Sequence, residues 1–408
     1  MKGNNEKALQ MLKAEVAECL TQNILPFWLD RMQDHKRGGW YGRMTGHYEI
    51  VPVAPRGAVL SGRLLWAFSA AYRVLGGKGY LEAATRTKDY ILSYFLDREY
   101  GGVYWSVTAD GRPMDTKKQF YAIGFIIYGF AEYARATGDA AALETALQLY
   151  DVIELHAWDV KNGGYIEACT RDWRPIADMR LSAKDENYPK SQNTHLHIIE
   201  PYTNLLRALR EAGVECSRVT ESCRRLIDIF TDKILDPETY HLDLFFDMDW
   251  RRMSTAESYG HDIECSWLLH EAALVLGDED LLYNKVEPIV REVARASEKG
   301  LQADGSMIHD SGDADREWWV QAEAVVGFLN IYLHFGDDAA LDKALGVWRY
   351  IKDHLIDREH GEWYWSVRSD GTINLDDDHA GFWKCPYHNS RMCLEILSSN
   401  IKPFVIRQ

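Results

Sequence analysis

Residues 97–107 read DREYGGVYWSV, and residues 357–367 read DREHGEWYWSV. The two stretches are near-copies that start 260 residues apart (357 − 97 = 260), which equals four repeats of 65 residues. Each joins an aspartate and a glycine turn to aromatic residues that favour β-structure, as expected for a tight turn between short strands. Such self-similarity indicates that one structural unit recurs along the chain.

Between these turns, apolar residues recur at the helical period. The pattern predicts twelve helices, over residues 5–33, 56–76, 78–96, 117–136, 138–156, 191–212, 214–233, 259–276, 278–298, 316–335, 338–355 and 386–399. Every second gap is long and contains a turn with β-prone flanks, at residues 38–42, 101–105, 163–165, 241–246, 304–306 and 361–365. The other gaps are short, so the sequence predicts six helical hairpins in succession.

A single helical hairpin of this kind cannot bury its own apolar face and must stack on its neighbours. Six units can close into a ring. We therefore expect an all-α fold, a single (α/α)6-barrel domain over residues 1–408, with short β-hairpin loops at the active-site end. An open helical solenoid is the alternative, but neither end of the chain carries an obvious polar capping repeat, which favours closure.

The composition sets limits on partners. The chain of 408 residues is 46% hydrophobic, enough for a large core, and its net charge of −16 disfavours binding to nucleic acid or to an anionic membrane. No run of 18 or more apolar residues and no hydrophobic N-terminal segment occur, so we expect a cytoplasmic protein. The seven scattered cysteines lack CxxC spacing, which indicates reduced thiols. The expected ligand is a neutral small molecule, and the expected assembly is a monomer or weak homodimer.

Polar residues lie at the starts of alternate predicted helices. His261 and Glu264, for example, are one turn apart where an apolar helix begins. Similar starts carry Arg63, Tyr121, Asn193, His197, Trp319, Glu323 and His388. If every long loop precedes an inner helix, these starts share one end of the barrel, and the positive helix dipole ends would stabilise a developing enolate there. The sequence therefore predicts an active site at that end.

Four motifs resemble those of the N-acylglucosamine 2-epimerase superfamily. They are KSQNTHLH at 190–197, YGHDIE at 259–264, WWVQAE at 318–323 and WKCPYHNSR at 383–391. The resemblance extends over nearly the whole chain and is strongest to the members that act on disaccharides. It implies an (α/α)6 barrel that needs neither metal nor organic cofactor. It also implies epimerisation at C2 of the reducing-end glucose or mannose of β-1,4-linked disaccharides such as cellobiose, lactose and mannobiose.

The same resemblance implies roles for individual residues. His261 and His388 match the acid/base pair, and Arg63 matches the arginine that binds near the reactive oxygens of the sugar. The groups that orient the open-chain sugar and the histidines match His197, Glu264 and Glu323. The sugar-contacting positions match Tyr121, Asp185, Asn193, Trp267, Trp319 and Trp383.

One residue departs from the family pattern. Pro201 lacks the amide that would bond to the carbonyl of His197, so we expect a local kink in that helix, which bears on the orientation of His197.

The chemistry of C2 inversion agrees with these residue types. The reaction requires ring opening, removal of the proton α to the C1 carbonyl, and its return to the opposite face, by two bases or by one that moves. Histidine suits proton transfer near neutral pH because its unperturbed pKa is ~6.5. Arg63 would stabilise the negative enediolate, and the tryptophans would stack on the apolar faces of the sugar rings.

Other functions use the same residue types. An aldose–ketose isomerase acting on free mannose would return the proton to C1 instead of C2. A glycoside hydrolase would need two carboxylates about 5 to 9.5 Å apart, for which Glu264 and Glu323 are candidates. A non-catalytic sugar-binding barrel would bind without turnover. A metal site at His195 and His197 is disfavoured because residues two apart on a helix face different ways, and one at His261 and Glu264 lacks a third ligand at matching spacing.

Overall fold

The computed structural model describes residues 2–399, so residues 1 and 400–408 of the predicted domain lie outside the described part. Thirteen α-helices are described there: α1 (Lys2–Cys19), α2 (Leu25–Phe27), α3 (Ala58–Leu75), α4 (Lys78–Tyr94), α5 (Phe120–Thr137), α6 (Ala140–His156), α7 (Gln192–Glu211), α8 (Ser217–Ile229), α9 (Tyr259–Leu276), α10 (Glu287–Ser297), α11 (Trp318–Phe335), α12 (Asp338–Tyr350) and α13 (Tyr387–Ser398). One π-helical turn (Leu20–Ile24) joins α1 to α2, and a second (Trp28–Met32) follows α2, so one helical stretch ends at Met32 and matches the helix predicted at 5–33. All twelve predicted helices are present.

The helices form two concentric rings. In the inner ring, α3, α5, α7, α9, α11 and α13 each pack on the next, and α13 packs on α3 to close the circle. The outer ring consists of α1, α4, α6, α8, α10 and α12, each packed against one or two inner helices. The predicted (α/α)6 barrel is therefore confirmed, and the open solenoid is not what forms.

The apolar pattern of a helix determines whether the helix lies in the inner or the outer ring. Every residue of α5 from Phe120 to Ala134 is buried, because this helix packs on neighbours all round. In contrast, α8 buries one stripe that includes Val219, Cys223, Leu226 and Ile227, and its other face meets solvent. A helix that is apolar on all sides is stable only inside, and an amphipathic helix fits the outer layer.

Short strands connect the loops at one end of the barrel. They are β1 (Arg56–Gly57), β2 (Ser106–Val107), β3 (Pro113–Asp115), β4 (Lys118–Gln119), β5 (Ala168–Cys169), β6 (Lys190–Ser191), β7 (Phe245–Phe246), β8 (Arg316–Glu317) and β9 (Ser366–Val367). The predicted turns are closed by single antiparallel bridges, such as Leu96 to Val103 and Ile356 to Trp363. The antiparallel pairs β1–β2, β4–β5, β6–β7 and β8–β9 were not predicted. Each ties the residues before an inner helix to a later long loop, and so holds the start of that helix in place.

Of the helices in residues 2–399, none combines the length and the apolar character needed to cross a membrane.

Candidate active site

A cavity of about 550 Å³ lies at the end of the barrel where the inner helices begin. Ten of the twelve predicted site residues line it: Arg63, Tyr121, Asp185, Asn193, His197, His261, Glu264, Trp319, Trp383 and His388. The other two, Glu323 and Trp267, lie behind the wall. Because the inner helices begin at the same end of the barrel, residues more than 300 positions apart in the chain, such as Arg63 and His388, line one cavity.

His388 is held by a carboxylate. Its Nδ1 lies 2.6 Å from Oε1 of Glu323, and the indole of Trp267 donates to Oε2 of the same residue at 3.0 Å. Nη2 of Arg391 also donates to Oε1, at 2.7 Å, so each oxygen of Glu323 accepts from a group that can only donate. Burial raises the pKa of Glu323 and the charge of Arg391 opposes that rise; from the two donors we infer the ionised form. Because an ionised carboxylate can only accept, the proton of the neutral His388 ring is on Nδ1, and its Nε2 carries a free lone pair. Trp267, expected to contact the sugar, instead fixes the carboxylate that orients this histidine.

His261 is held differently. Its Nδ1 lies 2.7 Å from the hydroxyl of Ser258, the residue that caps α9. A hydroxyl can donate or accept, so Ser258 can pair with either tautomer of the ring. His388 is thus fixed in one tautomer, whereas His261 can change its own.

Both rings face one aromatic wall and both are neutral. The ring centroids of His261 and His388 lie 5.0 and 5.6 Å from that of Trp319. Burial lowers the pKa of His261 well below its ordinary value, and the neighbouring His309 lowers it further. Burial also lowers the pKa of His388 well below its ordinary value, with Arg63 as the next cause. At neutral pH each ring can accept a proton.

Arg63 supplies a fixed cation. It is 3% exposed, donates from Nη2 to the hydroxyl of Tyr121 at 2.9 Å, and lies over the ring of Phe125 at 4.2 Å. Within residues 2–399 it forms no salt bridge, so its charge is available to an anion in the cavity.

The expected kink in α7 occurs at His197, whose φ of −89° and ψ of 17° leave the helical region. Pro201 provides no amide for the carbonyl of His197, and Gly124 of α5 packs against that carbonyl so closely that a Cβ there would lie 2.4 Å from it. The side chain remains oriented because Nδ1 lies 3.0 Å from Oε2 of Glu200. His197 therefore lines the cavity with its Nε2 side.

Two further predicted residues are available to a ligand. Asp185 lies on the loop before β6 and is held by the amide and hydroxyl of Ser182, at 2.7 and 2.8 Å. Asn193, in the first turn of α7, has an Oδ1 atom that is buried and without a hydrogen-bond partner in the described part of the chain. Such an atom can accept a sugar hydroxyl.

The residues that could coordinate a metal are otherwise occupied. Glu264, Glu323 and His388 place possible ligand atoms within 4.8 Å of one another. Arg391, however, donates from Nη2 to both carboxylates, at 2.8 and 2.7 Å, and so takes the position of a cation. His195 accepts the amide of Tyr165 at 2.9 Å and has a structural role.

Burial raises the pKa of Glu264 to about 8, and the charge of the neighbouring Glu323 raises it too. Glu323 accepts hydrogen bonds at both oxygens, so the proton of this pair resides on Glu264. Glu264 lines the cavity and can present that proton to a ligand.

Several functional candidates were not predicted. The cavity is also lined by His309, Glu317, Trp318, Trp365, Phe382 and, near Arg43, the aspartates 376–378. His309 has its ring centroid 5.5 Å from that of His261. Trp318 and Trp365 lie within quoted motifs and could have been found, but the His309 loop carries no periodic signal. Arg391 lies one turn after His388 and within a quoted motif, but the local sequence does not reveal its partners on other helices.

Comparisons with known proteins identify the family of this chain. The sequence pattern of the N-acylglucosamine 2-epimerase family matches residues 39–391. A cellobiose 2-epimerase from Bacteroides fragilis is 54% identical over 95% of this chain and 99% of its own, and one from Ruminococcus albus is 39% identical over 96% and 100%. The structure of cellobiose 2-epimerase from Bacillus thermoamylovorans superposes with a TM-score of 0.89 at 38% identity, covering 95% of this chain and 99% of its own. The chain therefore belongs to the N-acylglucosamine 2-epimerase family, and it is an epimerase.

Proposed function

We propose that the protein inverts C2 of the reducing-end glucose or mannose of β-1,4-linked disaccharides, converting cellobiose to glucosyl-mannose, lactose to epilactose and mannobiose to mannosyl-glucose. The observation that carries this proposal is the pair of neutral imidazoles, His261 and His388, whose ring centroids lie 5.0 and 5.6 Å from that of Trp319. The same cavity holds Arg63, which forms no salt bridge within residues 2–399. The names of the similar enzymes support the choice of a cellobiose-type substrate.

Ring opening is the first step of the proposed mechanism. Nε2 of His261 accepts the proton of the O1 hydroxyl, while the Nδ1–H group of His261 donates a hydrogen bond to the hydroxyl of Ser258. The protonated Glu264 gives its proton to O5. The C1–O5 bond breaks and C1 becomes an aldehyde. His261 is then an imidazolium, Glu264 is a carboxylate, and His388 is still a neutral base.

Proton transfer at C2 follows. The Nε2 lone pair of His388 removes the C2 proton, and the electron pair moves into a cis-enediolate whose negative charge is stabilised by Arg63. His261 then delivers its proton to the opposite face of C2. On ring closure, the O5 proton returns to Glu264 and the proton on His388 passes to O1, so the enzyme regains its initial state. The reverse reaction uses the two histidines in the opposite order.

The wall of the cavity supports a neutral sugar as ligand. Its volume of about 550 Å³ falls in the range of roughly 300 to 1,000 Å³ typical of small-molecule sites. Trp319, Trp365, Phe382 and Trp383 supply flat apolar surfaces for pyranose rings, and Asp185 and Asn193 supply acceptors for hydroxyls. The two carboxylates that a hydrolase would use, Glu264 and Glu323, both bind Arg391 instead.

The test is incubation with cellobiose, lactose, mannobiose and free mannose, followed by chromatographic identification of the products. The proposal predicts C2 epimers of the three disaccharides. Conversion of free mannose to fructose without reaction of the disaccharides would identify an aldose–ketose isomerase. Release of monosaccharides would indicate a hydrolase, and binding without conversion would indicate a sugar-binding barrel.

We further propose that the enzyme acts in the cytoplasm as a monomer or weak homodimer, with no nucleic acid or membrane as partner. The net charge of −16 supports the part of this proposal that excludes nucleic acid and anionic membranes as partners. Sedimentation analysis over a range of protein concentrations tests the assembly, and a stable tetramer would contradict it.

A further inference from the structure

Arg391 lies at the centre of a buried ionic cluster below the floor of the cavity. Its side chain is fully buried and does not line the cavity. Nη2 donates to Oε1 of Glu264 at 2.8 Å and to Oε1 of Glu323 at 2.7 Å. Nη1 donates to Oε1 of Glu200 and to the hydroxyl of Tyr387. One guanidinium thus holds three carboxyl groups from three inner helices.

Two of these carboxylates each hold a histidine of the cavity wall. The Oε1 atom of Glu323 that accepts from Arg391 also accepts from Nδ1 of His388 at 2.6 Å. Glu200 receives Arg391 at Oε1 and Nδ1 of His197 at Oε2, the latter at 3.0 Å. The structure therefore contains an unbroken hydrogen-bonded chain from His197 through Arg391 to His388.

Removal of the cation at the centre would change this chain. Three carboxyl groups buried together cannot all stay ionised without a positive partner, because burial and mutual repulsion favour their neutral forms. A protonated Glu200 or Glu323 can turn a hydroxyl towards its histidine and so become a donor. The histidine would then move its own proton from Nδ1 to Nε2, and the free lone pair at the cavity would be lost.

We infer that Arg391 is a positioning residue that fixes His197 and His388 in the Nδ1-protonated tautomer, by keeping Glu200 and Glu323 ionised and correctly oriented. The consequence for turnover rests on the proposed roles of these histidines in epimerisation. The tautomers themselves are a property of the free protein and are measurable without any sugar.

Arg391→Lys provides the first test, because one ammonium cannot replace both Nη1, which reaches Glu200, and Nη2, which reaches Glu264 and Glu323. The carboxylates then lose hydrogen bonds that a positively charged donor supplied. The assay is nitrogen NMR of protein labelled at histidine, with the resonances of His197, His261 and His388 assigned from single His→Gln variants. In the wild type, His197 and His388 should show protonated Nδ1. In Arg391→Lys, the share of this tautomer should fall at both residues and stay unchanged at His261, which is held by Ser258 and serves as an internal control.

Kinetics provide the second readout. Misplacement of a catalytic group by about 1 Å can lower the rate roughly 100-fold, so kcat of Arg391→Lys should fall by about that factor. KM should change little because Arg391 does not touch the cavity. A matched control is Arg56→Lys, which disturbs another buried arginine; its side chain is bonded to Asp34 at 2.6 Å, and it is not among the residues that line the cavity. It should lower the melting temperature but leave kcat and all three tautomers unchanged.

Glu200→Gln separates the two branches and gives an independent test if the Arg391 variants fail to fold. It should change the tautomer at His197 and leave that of His388 as in the wild type. Unchanged tautomers in both Arg391→Lys and Glu200→Gln would overturn the inference, as would a wild-type kcat in Arg391→Lys. A different outcome separates the two proposals. If the Nδ1-protonated share falls in Arg391→Lys but the wild-type protein shows no epimerase activity, the proposed function is refuted and the inference about Arg391 stands.

Discussion

Glu323→Gln should slow the proposed reaction while leaving the fold intact. Glu323 is 1% exposed and accepts from His388 at 2.6 Å, from Arg391 at 2.7 Å and from Trp267 at 3.0 Å. Glutamine has the same shape but only one acceptor oxygen and no charge. The amide nitrogen of glutamine cannot accept a hydrogen bond, so it must replace either the oxygen that accepts from Trp267 or the oxygen that accepts from both His388 and Arg391. It should face Trp267, because only one hydrogen bond is lost in that orientation.

The main effect is then the loss of a negative charge beside His388. An opposite charge within hydrogen-bond distance changes a pKa by about 1 to 3 units, which corresponds to roughly 1.4 to 4 kcal/mol. Removal of the carboxylate lowers the pKa of His388, so the ring becomes a weaker base and the imidazolium formed in the transition state is less stable. We expect kcat to fall roughly 10- to 1,000-fold.

The assay is initial-rate epimerisation of cellobiose measured by chromatography, with circular dichroism and thermal unfolding to verify the fold. Glu167→Gln is the matched control, since Glu167 is a buried carboxyl that lies outside the main cavity wall. It should keep the wild-type kcat. A Glu323→Gln variant that folds and retains the wild-type kcat would refute the role of the carboxylate.

Three more predictions concern stability, packing and chemistry. Burial raises the pKa of Glu167 to about 8, against about 4.3 in an unfolded chain. Between these two pH values the folded state binds more protons than the unfolded state. The free energy of unfolding therefore falls as pH rises, by up to about 1.4 kcal/mol per pH unit. Glu167→Gln should remove this slope and raise the melting temperature at pH 8.5 but not at pH 4.5; equal changes at both pH values would contradict it. Gly124→Ala would place a Cβ 2.4 Å from the carbonyl of His197 and should lower both stability and kcat; a crystal structure with α7 unmoved would show the reasoning to be wrong. His261→Ala and His388→Ala should each abolish epimerisation of cellobiose with unchanged helical circular dichroism, and near wild-type turnover in either would rule out the two-base assignment.

The ring architecture was predictable because it depends on local patterns. The near-copies at 97–107 and 357–367 define the repeat, and each helix has an apolar period of its own. The pairing of β1 with β2, or of β8 with β9, was not predictable, since each pair joins segments about 50 residues apart that are brought together only when the ring forms. The two-residue strands are also too short for a periodic signal.

The site residues at the starts of the inner helices were predictable, and those further along these helices were less so. Most residues of an inner helix are buried, so periodicity does not tell which of them face the axis. The family resemblance assigns Trp267 to the sugar-contacting positions, yet its indole donates to Glu323 and it does not line the cavity. Arg391 was missed because its partners, Glu200, Glu264 and Glu323, lie on other helices and only the closed ring brings them to one guanidinium.

In the proposed mechanism, His261 and His388 move a proton at C2 of the sugar. The most direct measurement is conversion of cellobiose in deuterated water, with the label located by NMR in the product. Histidine protons exchange with solvent, so the product should carry deuterium at C2 and none at the other carbons. Product that retains its original C2 hydrogen would contradict proton transfer through these two rings.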